Sequence, residues 1–596
     1  MSEYENMRSA DIVAEALIDW KVDTIFGLPG DGINGFIEAL RTRHDKIKFV
    51  LVRHEESAAF MASAYAKYTG KLGVCVATSG PGAIHLLNGL YDAKLDGAPV
   101  VAITGRTYSD LMGSGYQQDV DQLQLFSDVS VYNNMINEPE QAEMVVDIAC
   151  RTALSQRGVS HFTIPIDVQE KVLKGKYSKH KVPGHTSDMQ INFEIMPSDK
   201  KTLEDAAEIL NSGRKVVILV GQGALNAGNE IIAVAQKLNA PIVKALLGKA
   251  VVGDDNPYNI GVLGILGTEP ASDAMNEADT LLMVGTSFPY IEYLPKPGQA
   301  RGIQIDIKAE RIGLRYPIEV GLLGDSKVIL SALIPLLDNK KQDDSFLREK
   351  QQAMQQWVKK LQQFRNINKN SSSNKAIKPQ VIAAAVSEEL EDNAIISVDS
   401  GTNTFWAARH INVRRGMKFS VSGTLASMAC GLPYAIAAQL TYPERQCIAF
   451  VGDGGFMMLM AEFSTAVQYK LPIKVIILKN NTLGMIRWEQ MGFLGNPEYG
   501  VEFTPIDFAG FAENCGGKGY RIKEPDEVKP VMQAAMIKDK EKKPVIIEAY
   551  IDPFEPIVPP KAKPEFIQKI SESFAKGQPY SQRIGLTLYR NRFEAT

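Results

Sequence analysis

Short β-branched runs alternate along the chain with longer amphipathic stretches. TIFGL, KFVLV, LGVCVAT and VVAITG are each followed by a segment of helix-like spacing. Continuous apolar runs of this kind mark parallel strands buried on both faces between helices. The texture recurs three times. A first block closes near residue 165 with HFTIPID, and the polar stretch KGKYSKHKVPGHTSDMQ after it reads as a linker. A second opens on KVVILVG (215–221) and closes near LLGDSK (322–327). A charged, Gln-rich helical run from about 338, ending in NKNSSSNKAIKP, has the composition of an exposed connection. A third block runs from PQVIAAAV to IIEAYID (546–552). The expected fold class is therefore α/β, with three doubly wound, mainly parallel-sheet domains over 1–180, 190–338 and 375–558, a linker over 339–374 and a C-terminal tail over 559–596. In such sheets ligands bind at the carboxyl ends of the strands, but the fold alone names none.

A chain of 596 residues exceeds what one core supports, and 45% hydrophobic with 22% charged residues is an ordinary globular composition. The net charge of −4 and pI near 6.1 provide no broad basic field, which argues against nucleic acid as a partner. Five cysteines, odd in number and never spaced CxxC, argue against a disulfide framework or a zinc site. A cytoplasmic location is expected. The first residues, MSEYENMRSADIVAEALIDW, lack the apolar core of a signal peptide, and no uncharged apolar run reaches membrane-spanning length.

Chemistry concentrates in the third block. IAFVGDGGFMMLMAEFSTAVQYKLPIKVIILKNNTLGMI sets Asp453 after one strand and Asn480 after the next, 27 residues on. A strand, helix, strand unit fills that interval, so both side chains reach the carboxyl ends of adjacent strands, where their oxygens can converge on a hard cation such as Mg2+. Gly452, Gly454 and Gly455 let backbone N–H groups approach a diphosphate. In the first block, KFVLVRHEESAAFMASAYAKYTGKLGV puts Glu55 and Glu56 directly after a strand. SGPGAIHLLNGLYDA (79–93) adds a glycine turn and His85, and FGLPGDGING (26–35) adds a second turn through Gly30.

The Asp453–Asn480 arrangement resembles the thiamine-diphosphate binding motif, and RHEES resembles the activating-glutamate motif of the same enzymes. The resemblance implies that Asp453, Asn480 and the main-chain oxygen of Thr482 hold the cation, with Asn481 outside the set. It implies that Glu55 bonds the pyrimidine N1′ and promotes deprotonation at the thiazolium C2. VDSGTNT (398–404) looks like the other diphosphate loop, offering Gly401 and Thr402, and Met428 in GTLASMACGLP matches the apolar residue under the bent cofactor.

The middle block opens with a glycine turn through Gly221 and Gly223, a weak signal alone. Its further segments, GVLGILGTEPA, ADTLLMVGTSFPYIEYLP, GIQIDIKAERIG and VGLLGDSK, together with both flanking blocks, resemble the bacterial pyruvate oxidases over about residues 8–560. That resemblance implies FAD near Gly221, Gly223, Thr268, Gly285, Thr286, Ser287, Phe288, Asp306 and Asp325. It implies oxidative decarboxylation of pyruvate, with electrons passing to FAD and then to quinone or oxygen, and acetate or acetyl phosphate plus CO2 as products. Cofactors would lie between the first block of one copy and the third of another, in a homodimer or, more fully, a homotetramer. Gln118 and Glu489 match active-site positions of the family, whereas Gln117 and Ser400 depart from its usual aromatic and valine. LGMIRWEQ is also similar to the acetolactate synthases, which makes a carboligase with non-redox FAD the alternative. A non-catalytic binding or scaffold protein is the third reading, opposed by Glu55, Asp453 and Asn480 together.

In the tail, Ile584, Leu586, Leu588, Tyr589 and Phe593 interleave with Arg583, Arg590 and Arg592, a mix that suits an anionic membrane surface. Gly585 and the poor period favour instead an extension packed on its own subunit or a neighbour. A peripheral place at the inner membrane face is the minority expectation.

Overall fold

The protein is described here from a computed structural model covering residues 6–174, 199–340, 343–365, 376–537, 541–561 and 564–594. The first linker, from residue 175, and most of NKNSSSNKAIKP lie outside the described residues.

Three six-stranded sheets carry the fold, and every strand pairing in them is parallel. The first holds β1 (Thr24–Gly27), β2 (Lys48–Leu51), β3 (Gly73–Ala77), β4 (Val100–Arg106), β5 (Tyr132–Met135) and β6 (Val159–Pro165), in the order β2-β1-β3-β4-β6-β5. The second holds β7 (Val216–Val220), β8 (Ile242–Lys244), β9 (Asn259–Val262), β10 (Thr280–Val284), β11 (Arg301–Asp306) and β12 (Val320–Leu323), in the order β12-β11-β10-β7-β8-β9. The third holds β13 (Ile395–Val398), β14 (Lys418–Ser420), β15 (Cys447–Gly452), β16 (Lys474–Lys479), β17 (Lys518–Ile522) and β18 (Val545–Tyr550), in the order β14-β13-β15-β16-β18-β17. Central strands such as β3, β4, β7, β10 and β16 are buried at every residue. Helices cover both faces, which is the doubly wound arrangement the apolar runs predict.

The first and third domains share one core. The helix Glu55–Thr69, rich in alanine, packs on the helix Gly431–Thr441, with Phe60 and Tyr68 each in edge contact with Tyr434. The middle domain has its own cores and is latched to the third by a buried charge cluster. Lys244 and Lys249 both bond Asp254, at 2.5 and 2.8 Å, and hold its carboxyl down to about 2 against the cost of burial. Asp254 exchanges backbone and side-chain bonds with Val413, and Lys249 donates to the carbonyl of Ala408.

The tail forms two helices, Pro564–Ala575 and Ser581–Glu594, the second running through Gly585. Phe566, Ile570 and Ile584 are buried in the third domain's core, and Arg583 lies over the ring of Phe554. Leu586 and Tyr589 are exposed. Among the described residues no helix is long and apolar enough to cross a membrane.

Candidate active site

Side chains at the carboxyl end of the first sheet form one group. Strand β2 delivers Arg53 and His54 to the start of the Glu55 helix, where His54 accepts the N–H of Glu56 as an N-cap. Glu55 is almost wholly buried, and its Oε2 lies 2.9 Å from Nδ1 of His85, whose ring stacks on His54 at 4.5 Å. The glycine turns pack directly against these groups: a Cβ on Gly82 would lie 3.0 Å from Glu55 Oε1, and one on Gly30 would meet Thr78 at 2.6 Å. Gln118, in the left-handed region at φ 62°, accepts the Ser79 hydroxyl at 2.6 Å beside Gly80. The structure thus brings Glu55, His85, Gln118 and Gly30 together. Glu462 reaches them from the third domain of the same chain, accepting the N–H groups of Arg53 and His54 at 2.6 and 3.0 Å.

A second group lines a cleft of about 520 Å3 between the middle and third domains. Asp453 and Asn480 lie at the carboxyl ends of the adjacent strands β15 and β16, as their spacing predicts. Asp453 accepts the N–H groups of Gly454, Asn480 and Asn481 at 2.9, 3.0 and 2.6 Å. Burial nevertheless pushes its carboxyl up to about 6, because no cationic side chain bonds it. A divalent cation would answer that burial, and the neighbouring Asn480 and Thr482, whose main-chain oxygen accepts the N–H of Gly484 at 2.9 Å and whose buried hydroxyl is orphaned, add oxygen donors of the right kind. Gly401, at φ 135°, adopts a backbone conformation open to glycine and turns the chain into the helix beginning at Thr402. Gly401, Thr402, Met428, Gly452, Gly454, Gly455 and Glu489 also face this cleft, so its third-domain wall can cradle a diphosphate and its metal.

Three family models match the chain, one for each domain. The thiamine pyrophosphate enzyme N-terminal TPP binding domain matches residues 7–125, the central domain 203–333 and the C-terminal TPP binding domain 399–549. The Bacillus subtilis (strain 168) protein YdaP is 43% identical over 549 residues, 92% of each chain. The chain belongs to the thiamine pyrophosphate enzymes. A probable acetolactate synthase large subunit of Methanococcus aeolicus is 32% identical, over 94% of each chain. The pyruvate oxidase of Lactiplantibacillus plantarum (strain ATCC BAA-793 / NCIMB 8826 / WCFS1) is 30% identical, over 97% of this chain and 94% of its own.

As a thiamine pyrophosphate enzyme, the chain divides its candidate residues between two places. None of Glu55, His85, Gln118 and Gly30 lines the cleft that holds Asp453 and Asn480. On the middle-domain side, Gly221, Gly285, Thr286, Ser287 and Phe288 line the cleft, and Gly223, Thr268, Asp306 and Asp325 do not. Gly223 is pressed onto the backbone of Gly285. Thr268 and Asp325 cap the helices Glu269–Glu277 and Ser326–Leu333. Asp306, raised by burial, accepts the N–H of Lys308 at the end of β11.

Sequence reasoning passed over Asp96 and Asp399. Asp399 is fully buried directly behind Ser400 and Gly401, one carboxylate oxygen is unpartnered, and burial pushes it up to about 7. Its place ahead of the glycine in VDSGTNT was the available signal. Asp96 offers no local signal, since its partners Gly423 and Thr424 lie more than 300 residues away.

Proposed function

We propose that the protein decarboxylates pyruvate oxidatively, using thiamine diphosphate, Mg2+ and FAD, and passes the electrons to quinone or oxygen, giving CO2 and acetate or acetyl phosphate. One observation carries the reading furthest: a single cleft is walled by the diphosphate turns of the third domain and by Gly221 and Gly285–Phe288 of the middle domain. A second, larger cofactor can therefore lie alongside the first. The apolar wall of Leu263, Leu266 and Phe288, with Thr286 and Ser287 as polar contacts, suits a flat ring system on a polar tether.

When bound, thiamine diphosphate supplies the electron sink that lets a 2-keto acid lose CO2, and FAD supplies a two-electron acceptor. This chain's residues do the rest. Asp453, Asn480 and the Thr482 carbonyl hold the cation, while Gly401, Thr402 and the turn Gly452–Gly455 present N–H groups to the diphosphate. Met428 forms the floor beneath the cofactor. Glu55 holds a proton at the pyrimidine nitrogen, and His85, bonded to Glu55, with Gln118 orients the keto acid. Glu489, exposed on the far rim, handles protons or positions phosphate.

Because Glu55 does not share the cleft with Asp453 in one chain, the reading includes a homodimer that joins the first domain of one copy to the third of the other, and a tetramer as its fuller form. A cytoplasmic location accompanies it. The second reading is a carboligase with non-redox FAD, which the 32% identity to an acetolactate synthase subunit supports. Product analysis separates them: acetate or acetyl phosphate with one CO2 per pyruvate supports the oxidase, whereas acetolactate with one CO2 per two pyruvates supports the carboligase.

A further inference from the structure

Met428 stands on a loop, residues 423–430, whose two ends contact buried carboxylates from different domains. At its far end the thiol of Cys430 lies 3.7 Å from Oδ1 of Asp399. At its near end the carboxylate comes from the first domain: Asp96, the last residue of the helix Leu87–Asp96, accepts the N–H of Gly423 at 2.9 Å and that of Thr424 at 2.8 Å. Gly423 has no room for a side chain, since a Cβ there would lie 2.4 Å from Leu247 and 3.1 Å from Asp96 Oδ1. Between the two ends, Ala426 and Ala429 hold left-handed φ values of 56° and 74°, a conformation alanine adopts at a cost and keeps only where its surroundings impose it.

Asp96 is itself fixed. Its carboxylate is wholly buried and bonds Lys67 Nζ at 2.7 Å. Lys67 also reaches Asp92 and the hydroxyl of Tyr434, and approaches the carbonyl of Val421 at 3.4 Å, just before the loop. The main-chain carbonyl of Asp96 accepts the side-chain amide of Gln222 from the middle domain. All three domains therefore meet at this residue, which, with Val421–Thr424, Ala426 and Met428, forms part of the cleft wall.

We infer that Asp96 is a positioning residue that sets the loop 423–430, so that the height and tilt of Met428 under the cofactor are fixed from the first domain of the same chain. The inference rests on the reading above, in which thiamine diphosphate bends over Met428. Replacing Asp96 by asparagine keeps the shape but turns a donor toward Lys67 or a loop N–H, where an acceptor is needed.

The test uses the full-length protein with thiamine diphosphate and Mg2+. Asp96→Asn should bind the cofactor within about threefold of wild type by calorimetric titration, since the groups holding the diphosphate and cation are untouched. Backbone amides of 421–430 should exchange with deuterium at least about 10-fold faster by mass spectrometry, and the bound cofactor's C2 proton at least about 10-fold slower by NMR. Thr424→Pro, at an exposed residue, deletes one donor to Asp96 without touching the ion pair and should shift both exchanges in the same directions by less. It decides the question if Asp96→Asn does not fold. Loop exchange at the wild-type rate, or C2 exchange at the wild-type rate despite a loosened loop, overturns the inference and assigns Asp96 to stability alone. Wild-type protein that binds no thiamine diphosphate overturns the functional reading and this inference with it, and the wild-type titration tells that failure from the first.

Discussion

Nδ1 of His85 lies 2.9 Å from Oε2 of Glu55, joining a half-exposed imidazole to a carboxylate that is almost fully buried. A hydrogen bond of this kind sets the orientation of both groups, so a substrate held by the imidazole is placed relative to whatever the carboxylate bonds.

Glu55→Gln removes the carboxylate while keeping its volume. The variant should fold and bind thiamine diphosphate, with C2 deprotonation slowed at least about 100-fold, the lower end of a general acid–base contribution. Hydrogen–deuterium exchange at C2 checks this, and a wild-type rate would remove Glu55 from its role.

Asp453→Ala deletes the charged donor from a site with few others. Cofactor-dependent activity should be lost and remain lost at millimolar Mg2+, whereas chelator-treated wild type should recover on adding Mg2+. Retained activity after chelation and desalting would contradict the assignment.

His161, buried in the first sheet, stacks on Phe126 at 3.8 Å and contacts Thr104 and Asn133, and burial lowers it from 6.5 to about 3. Between those values the unfolded chain takes up a proton that the native one refuses. Its contribution is therefore complete above about pH 6.5 and declines as pH falls toward 3, by at most about 1.4 kcal/mol per pH unit. Denaturant unfolding at pH 4 to 7 should show wild type losing stability with acid faster than His161→Phe, and parallel slopes would refute the buried neutral state.

Ile584 is fully buried among Phe566 and Ile570 in the third domain's core. Ile584→Ala should cost roughly 2–4 kcal/mol, as for other buried aliphatic truncations. A cost below about 0.5 kcal/mol, the range of surface substitutions, would show that the tail is not docked in solution. Flotation with anionic liposomes, with and without pyruvate, tests the exposed Leu586 and Tyr589 as a lipid surface. Binding only after reduction would mean that the docked tail is released.

Much of this architecture is legible in the sequence because strands buried on both faces must be apolar at every position, as in KVVILVG and IAFVG. Asp453 and Asn480 are legible for the same reason, since each ends such a run. The tail is harder: residues 584, 586 and 588 alternate, yet the chain is helical, with Ile584 buried, Leu586 exposed and Leu588 packed against the third domain's core. Packing on the third domain, rather than local periodicity, selects the helix. Thr268 and Asp325 show the converse, each standing directly before a helix that it caps. The grips of Asp96 on Gly423 and of Glu462 on Arg53 join residues hundreds of positions apart, and no local pattern reports them.

In the proposed reaction electrons leave pyruvate through a flavin in the middle domain, and anaerobic reduction measures that transfer directly. Purified protein carrying thiamine diphosphate, Mg2+ and FAD is mixed with pyruvate in a stopped-flow cell, and the visible absorbance of the oxidised flavin is followed. Full bleaching is expected at a rate equal to or above turnover, with the colour restored by quinone or oxygen. A flavin that stays oxidised while acetolactate accumulates would contradict it.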